Sequence, residues 1–272
     1  MDTDGGEPAF ERRLLLAVGG VLLLGGCTVT HAVEPGARPV TRPAPSPARP
    51  AKQLTARRPG VARRHQRRAS HHSEPGVDYR PMNHINDGRK AIALTIDDGP
   101  SPVYTPQVLS LLHRYGITAS FSMIGVNVAA YPRVARAVAD AGHMIVNHTQ
   151  HHHNMAFMWP AEAADEMDLA TEAIHRATGR VPDMFRAPYG AWSPTVLQRC
   201  WRTGMTPLDW SVDPRDWARP GVTAIIQNIM ENTRTGSIIL EHDGGGDRSQ
   251  TVAALSVVLP RLLDAGYRFR TP

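Results

Sequence analysis

The sequence predicts an α/β fold built on a parallel sheet. Three observations carry that expectation. From about residue 79, short apolar runs alternate with longer amphipathic ones. Glycines stand where the amphipathic runs should end, as helix C-terminal caps do. The chain of 272 residues is 42% hydrophobic, enough for one domain with a real core plus extra segments. Strict alternation of strand and helix makes successive strands parallel, in a sheet either open or closed into a barrel.

Taken in order, the expected strands are 91–96, 119–124, 144–147, 184–186, 206–210, 237–241 and 267–270. Helical spacing covers 105–115, 131–141, 161–178, 193–202, 222–233 and 251–265. Ser193-Pro194 reads as an N-cap followed by proline at the first helical position. Gly116, Gly142, Gly179, Gly204 and Gly266 occupy C-terminal cap positions. Cys200 falls inside a helix and reads as a buried small hydrophobe, with Trp201 beside it read as core. The other cysteine, Cys27, lies far upstream, so there is no disulfide framework.

The N-terminal 78 residues are of another kind. Arg12-Arg13 precede an apolar stretch at 14–24, too short for a membrane span of ~20 residues but suited to the core of an export signal. Leu24-Gly25-Gly26-Cys27 resembles a bacterial lipobox, which implies lipidation of Cys27 and a lipid-anchored chain facing the cell wall. The rivals are ordinary cleavage near Thr30-His31-Ala32, giving a secreted chain, and an uncleaved anchor. Arg12-Arg13 also resembles a twin-arginine signal. Each reading places the bulk of the chain outside the cytoplasm. Residues 1–31 are therefore set apart as signal, 32–78 as a disordered basic Pro/Arg-rich linker, and 79–272 as the catalytic domain.

Charge supports this division. The formal net charge is +5, but ten Lys/Arg against two Glu put +8 into residues 32–77, and residues 1–31 carry −2. The remainder is at −1, so the folded part is nearly neutral. A proline-rich basic segment without apolar periodicity cannot bury enough surface to offset chain entropy. It reads as a solvated, extended spacer, with attraction to anionic wall polymers or lipid headgroups as the functional alternative. Nucleic acid is not an expected partner for an exported chain, and the chain is expected to be a monomer.

In parallel α/β folds the site lies at the carboxyl ends of the strands. Polar residues collect there: Asp97-Asp98 after the first strand, His148 after the third, Arg186 ending the fourth, Asp213 and Asp216 after the fifth, His242 after the sixth. The segment from Asn147 to Asn154 holds four histidines. His148 and His152 are four apart, so one helical turn would bring both rings to one side. With one carboxylate they make three ligands and leave a position open, the pattern of a catalytic zinc site. Such a cation activates water and polarises a carbonyl. Amide hydrolysis then needs a base and an acid. One aspartate of the pair can bind metal while its neighbour serves as base. His242 is the candidate acid, since imidazole titrates near neutral pH. Arg186 could hold the free aspartate ionised, and Asp213 or Asp216 could pair with His242 or Arg186.

Five segments in order carry a resemblance. They are TIDDGP at 95–100, His148-Thr-Gln-His-His152, Phe185-Arg-Ala-Pro-Tyr-Gly190, Asp213-Pro-Arg-Asp-Trp217 and Leu240-Glu-His242. From about residue 90 to the end the chain resembles the polysaccharide deacetylase (NodB-type) domain of carbohydrate esterase family 4. The resemblance implies a distorted (β/α) barrel with about seven parallel strands. It implies Asp97 as general base, Asp98, His148 and His152 as metal ligands, Arg186 as the partner orienting Asp97, and Asp216 as support for His242, the general acid. Pro188, Tyr189, Trp217 and Leu240 become substrate-binding positions, Tyr189 through its backbone N–H. The sequence departs from the family where His153 replaces a proline. Either neighbour of His152 therefore competes as ligand, although His151 and His153 read as loop residues.

The implied activity is metal-dependent removal of acetyl from an N-acetylglucosamine glycan, releasing acetate. Peptidoglycan is the first expectation and chitin-type oligosaccharide the second. The cofactor expectation is zinc, with cobalt or nickel able to serve. The rivals are an O-acetyl esterase on xylan or another wall polymer, and a non-catalytic wall-binding lipoprotein. Met155, Met158 and Trp159 are candidates for a groove edge, and 243–248 reads as a flexible rim or a turn.

Overall fold

The computed structural model describes residues 80–272; the signal-like segment, Cys27 and the proline-rich linker lie outside the described residues. The elements alternate as the periodicity requires. They are β1 (Ala91–Gly99), α1 (Thr105–Tyr115), β2 (Ser120–Met123), α2 (Gly125–Ala130), α3 (Pro132–Asp140), β3 (Met144–Asn147) and α4 (Pro160–Thr178). There follow β4 (Met184–Phe185), α5 (Pro194–Thr203), β5 (Thr206–Pro207), α6 (Val222–Asn232), β6 (Ile238–His242), α7 (Ser249–Asp264) and β7 (Arg268–Phe269).

All the ladders are parallel, in the order β5-β4-β3-β2-β1-β6, and β7 pairs with the start of β1 at Ala91 and Ile92. Between β5 and β6 there is no continuous ladder among the described residues. The gap is crossed by single bridges: Met82 to Leu208, His84 to Ser237 and Val212 to Ile239. The sheet is thus a parallel α/β sheet whose two edges are bridged rather than zipped together.

Every residue of β1 is buried, as expected for a central strand covered on both faces. Period two divides it. Ile92, Leu94 and Ile96 join Phe121, Leu112, Leu255 and Leu259 in the larger core under the helices. Ala91 and Ala93 pack in a smaller cluster with Val146, Met184, Leu208 and Ile238. Burying each large aliphatic side chain contributes about 1.5–3 kcal/mol. The small residues fall on the same side of the strand as Thr95 and Asp97, where the fully buried Arg186 also needs room.

The helix ends follow the sequence signals. Ser193 is extended, and its Oγ accepts a hydrogen bond from the Val196 N–H at 3.4 Å. Gly204, at φ +71°, closes α5 in the left-handed region that glycine tolerates best. Cys200 is fully buried, but Trp201 is 46% exposed, contrary to the core expectation. One residue further turns the side chain by about 100°, and α5 buries Val196 and Cys200 instead.

The sequence reading also missed α2. Six residues are too few to show a helical period, and α2 runs almost directly into α3. The helix has a positional role. Its first free N–H groups, on Gly125 and Val126, donate to the carbonyls of Thr149 and Gln150 at 2.9 and 3.0 Å, anchoring the histidine loop. Among the described residues no helix is long and apolar enough to cross a membrane.

Candidate active site

At the carboxyl ends of the strands lies a cavity of about 310 Å³, lined by Asp97, Asp98, His148, His152, Ala187, Tyr189, Trp210, Asp213, Trp217, Leu240 and His242. Two adjacent residues of a regular strand point to opposite faces. Asp97 and Asp98 nevertheless share this cavity, because β1 breaks its pairing register with β2 between Asp97 and Gly99. Asp98 takes φ +71° at that break. Its backbone is held on two sides. The Asn127 Nδ2 donates to the Asp98 carbonyl at 2.9 Å. Gly244 packs against the same carbonyl so closely that a Cβ there would collide with it.

The two acids have different partners. Arg186 Nη1 donates to Asp97 Oδ1 at 2.7 Å and to Thr95 Oγ1 at 2.8 Å, and Nη2 donates to the Asp209 carbonyl at 2.9 Å. The guanidinium is wholly buried, with its Cζ 5.8 Å from the centre of the Trp210 ring. Asp98 Oδ1 faces imidazole nitrogens instead, His152 Nε2 at 3.1 Å and His148 Nε2 at 3.5 Å. His148 Nε2 is also 3.7 Å from Asp97 Oδ2. Burial opposes the charge on Asp98, but His148, and after it His242 and His152, outweigh that and hold the carboxyl well below the ordinary range.

These donors fit a divalent cation. Asp98, His148 and His152 each bring a ligand atom within 4.8 Å of the others. Asp98 Oδ1 is buried and makes no well-formed hydrogen bond, facing only the two imidazole nitrogens, as a carboxylate oxygen that shares a cation with them would. His148 Nδ1 lies 2.8 Å from the Arg186 carbonyl, to which only its N–H form can donate. That bond leaves a lone pair on Nε2, the usual arrangement of a ligating histidine. Burial pushes His152 below the ordinary imidazole range, toward the neutral form that a cation needs.

The helical turn expected to bring His148 and His152 together is absent. Residues 148–154 form a loop, with Thr149 at φ +67° and His152 at φ +60°. Side-chain bonds to the backbone replace helical ones here. Asn147 Oδ1 accepts from the Thr149 N–H and Thr149 Oγ1 accepts from the His152 N–H, both at 2.9 Å. The rings still meet, at 4.9 Å between centres. Of the three consecutive histidines only His152 faces Asp98; His151 and His153 face Glu166 on α4.

Across the cavity stands His242. Its Nδ1 is 2.7 Å from Asp216 Oδ1, and its backbone N–H donates to Asp216 Oδ2 at 2.9 Å. Thr251 Oγ1 donates to the same Oδ2. Burial opposes the imidazolium, but the Asp216 carboxylate and the Asp98 and Asp97 charges outweigh it and raise His242 to about 9. Between the two aspartates left open by the sequence, Asp216 is thus the partner of His242, while Asp213 lines the cavity.

Of the other expected positions, Tyr189, Trp217 and Leu240 line the cavity, whereas Pro188 is buried and does not. Pro188 opens the short 3-10 turn that presents Tyr189 at φ +61° with its ring 4.7 Å from that of His152. Met155 is fully buried in the core while Trp159 is 75% exposed, so the two do not form one edge. The segment 243–248 is no flexible rim. Asp243 and Arg248 are buried, and Arg248 donates to the carbonyls of Gly244, Gly245 and Trp217. A planar guanidinium with several donors can lace a turn together in this way.

Sequence reasoning missed Thr95, Asn147, Asp209, Trp210 and Thr251. Thr95 carried a usable signal, since it lies two residues before Asp97 on the same strand face. Asp209 acts on Arg186 through a backbone carbonyl, which no residue type reveals.

Comparison with known proteins agrees with this geometry. Residues 84–208 match the polysaccharide deacetylase family. A chitooligosaccharide deacetylase from Bradyrhizobium sp. (strain ANU 289) is 41% identical over 192 residues, 66% of this chain and 88% of the relative. A peptidoglycan-N-acetylglucosamine deacetylase from Bacillus cereus is 42% identical over 193 residues, covering 69% and 88%. The crystal structure of the Bc1960 peptidoglycan N-acetylglucosamine deacetylase superposes with a TM-score of 0.67 at 32% identity, covering 70% of this chain and 89% of that one. The chain therefore belongs to the polysaccharide deacetylase family of NodB type, carbohydrate esterase family 4, and is a hydrolase of non-peptide carbon–nitrogen bonds.

Proposed function

We propose that the chain removes the acetyl group from N-acetylglucosamine units of a glycan, peptidoglycan first and chitin-type oligosaccharide second. The observation that carries this reading is the separation of Asp97 from Asp98, one bonded to Arg186 and the other facing two imidazoles, opposite a His242–Asp216 pair. A linear amide needs that set of groups. The carbon–nitrogen bond breaks only if water loses a proton and the departing amine gains one.

A divalent cation, zinc by ligand type, held by Asp98, His148 and His152 would supply Lewis-acid polarisation of the acetamide and a water of lowered pKa. Asp97, oriented by Arg186, whose Nη1 is also held by Thr95, takes the proton of the attacking water. The Tyr189 backbone N–H faces the oxyanion that develops on the former carbonyl. His242 delivers its proton to the sugar nitrogen, and Asp216 stabilises the imidazolium beforehand. Acetate and a free amine leave. Trp217 and Leu240 offer the apolar surface for the acetyl methyl and the sugar face, and Pro188 stiffens the turn beneath Tyr189.

The preference for peptidoglycan rests on the activity for which the Bacillus cereus relative is named and on the N-terminal pattern. In this reading residues 1–31 are an export signal, 32–78 a basic spacer and 79–272 the catalytic domain. Lipidation at Cys27 would hold the enzyme at the membrane, facing the wall. Radiolabelled palmitate incorporation, lost in Cys27→Ala, tests the anchor. The activity is tested by acetate release from peptidoglycan, N-acetylglucosamine oligomers and acetylated xylan. The reading expects release from the first two. Release from acetylated xylan alone would replace it with ester hydrolysis.

A further inference from the structure

The loop that carries His152 also carries a second convergence of ligand atoms. His151 Nδ1 lies 2.7 Å from Glu166 Oε1, and His153 Nδ1 lies 3.5 Å from the same oxygen. The two rings stack at 5.4 Å with 24° between their planes, and each brings its Nδ1 near that oxygen. The three ligand atoms all lie within 4.8 Å of one another, as they do at the Asp98 cluster. The three consecutive histidines are divided by the left-handed backbone at His152 (φ +60°), the middle one to Asp98 and the outer two to Glu166.

We propose that His151, His153 and Glu166 form a second metal site, for a borderline divalent cation such as zinc. Two imidazoles and one carboxylate select zinc, copper, nickel or cobalt over magnesium and calcium, which prefer all-oxygen shells. Ligand atoms about 2.0–2.1 Å from a tetrahedral zinc stand roughly 3.3 Å apart, and the observed 2.7 and 3.5 Å straddle that spacing. Glu166 is the fixed member. It projects from α4 with only 8% of its surface exposed, and its Oε2 accepts the His151 backbone N–H at 2.9 Å. Its Oε1 is hydrogen-bonded to His151 Nδ1 at 2.7 Å, and a cation would take the place of the proton they share. The His151 and His153 side chains are 47% and 61% exposed, which opens the outer side to a water ligand and to metal from solution.

The site has a mechanical consequence. A cation there ties residues 151 and 153 to α4 and so clamps His152 between two fixed points. The outer site is separate from the Asp98, His148 and His152 cluster and stands whether or not that cluster is the catalytic one.

The test uses the full chain, stripped with chelator, dialysed against buffered zinc and analysed for bound metal. The count is read as differences from wild type, so histidines elsewhere do not enter. His151→Ala/His153→Ala is expected to bind one zinc fewer than wild type, Asp98→Asn/His148→Ala one fewer, and the four-fold variant two fewer. Glu166→Gln keeps the side-chain size and the acceptor for the His151 N–H, and it is expected to lose the same zinc as the outer histidine pair. The proposal is overturned if the outer pair or Glu166→Gln binds as much zinc as wild type, or if the four-fold variant loses only one. Wild-type zinc content in Asp98→Asn/His148→Ala, with the loss kept in the outer pair, would sink the inner-site reading and leave the outer site standing.

Discussion

His242 and Asp216 make a contact whose consequences can be read from pH. Raised from an ordinary value of 6.5 to about 9, His242 stays protonated through neutral pH, ready to give a proton rather than take one. Its contribution to folding is present in full below pH 6.5 and is lost as pH rises through 9, because the folded state binds that proton more tightly than the unfolded chain. Urea unfolding across pH checks the sign. In Asp216→Asn the alkaline limb of kcat/KM is expected to move to lower pH, and the stability difference from wild type to shrink above pH 9. An unmoved limb would mean that another group donates the proton. The pair Asp97 and Asp98 gives a second test at this scale. Asp97→Asn is expected to keep bound metal and lose about 10²–10⁴ in rate, the ordinary worth of a general base; Asp98→Asn is expected to lose metal affinity. Metal content and turnover, measured together, check the split. Each of these residues was legible from its place after a strand. Their backbone-mediated supports, the carbonyls of Arg186 on His148 and of Asp209 on Arg186, carry no signature in residue type.

The loop between β3 and α4 decides whether two histidines can meet Asp98 without a helix. Its geometry depends on Asn147, which is fully buried, accepts from the Thr149 N–H and donates to the Met167 carbonyl and Thr171 Oγ1. Asn147→Ala removes a side chain that joins the loop's first turn to α4. It is expected to weaken metal binding about 10- to 100-fold, as loss of a supporting partner typically does; competition with a chromogenic chelator measures it. The helices α1 and α3 to α7 were legible because each runs long enough to show apolar spacing, and all but α6 are followed by a glycine end signal. The helical turn over 148–152 was misread because i, i+4 spacing is only one way to bring two rings together. The left-handed residues Thr149 and His152 supply another, and neither residue type announces it. The six residues of α2 lacked the length for a period, although that helix holds both the loop carbonyls and the Asp98 backbone.

Over the whole molecule, the parallel order β5-β4-β3-β2-β1-β6 gathers the cavity's residues from five separate stretches of chain at one end of the sheet. Alternating apolar runs announced that order of elements. They did not announce how the sheet meets itself, because single bridges such as Met82–Leu208 and Val212–Ile239 involve residues outside any regular strand. Residues 78–272 are nearly neutral, and the +8 of residues 32–77 accounts for the positive charge of the chain. What unites the molecule is the claim that Asp98, His148 and His152 hold a cation without which Asp97 and His242 cannot turn over an acetamide. Acetate release from N-acetylglucosamine oligomers by the full chain, before chelation, after it and after zinc is restored, tests this most directly. The predicted result is release that chelation abolishes and zinc returns. Undiminished release from chelated protein whose metal content is nil would contradict it.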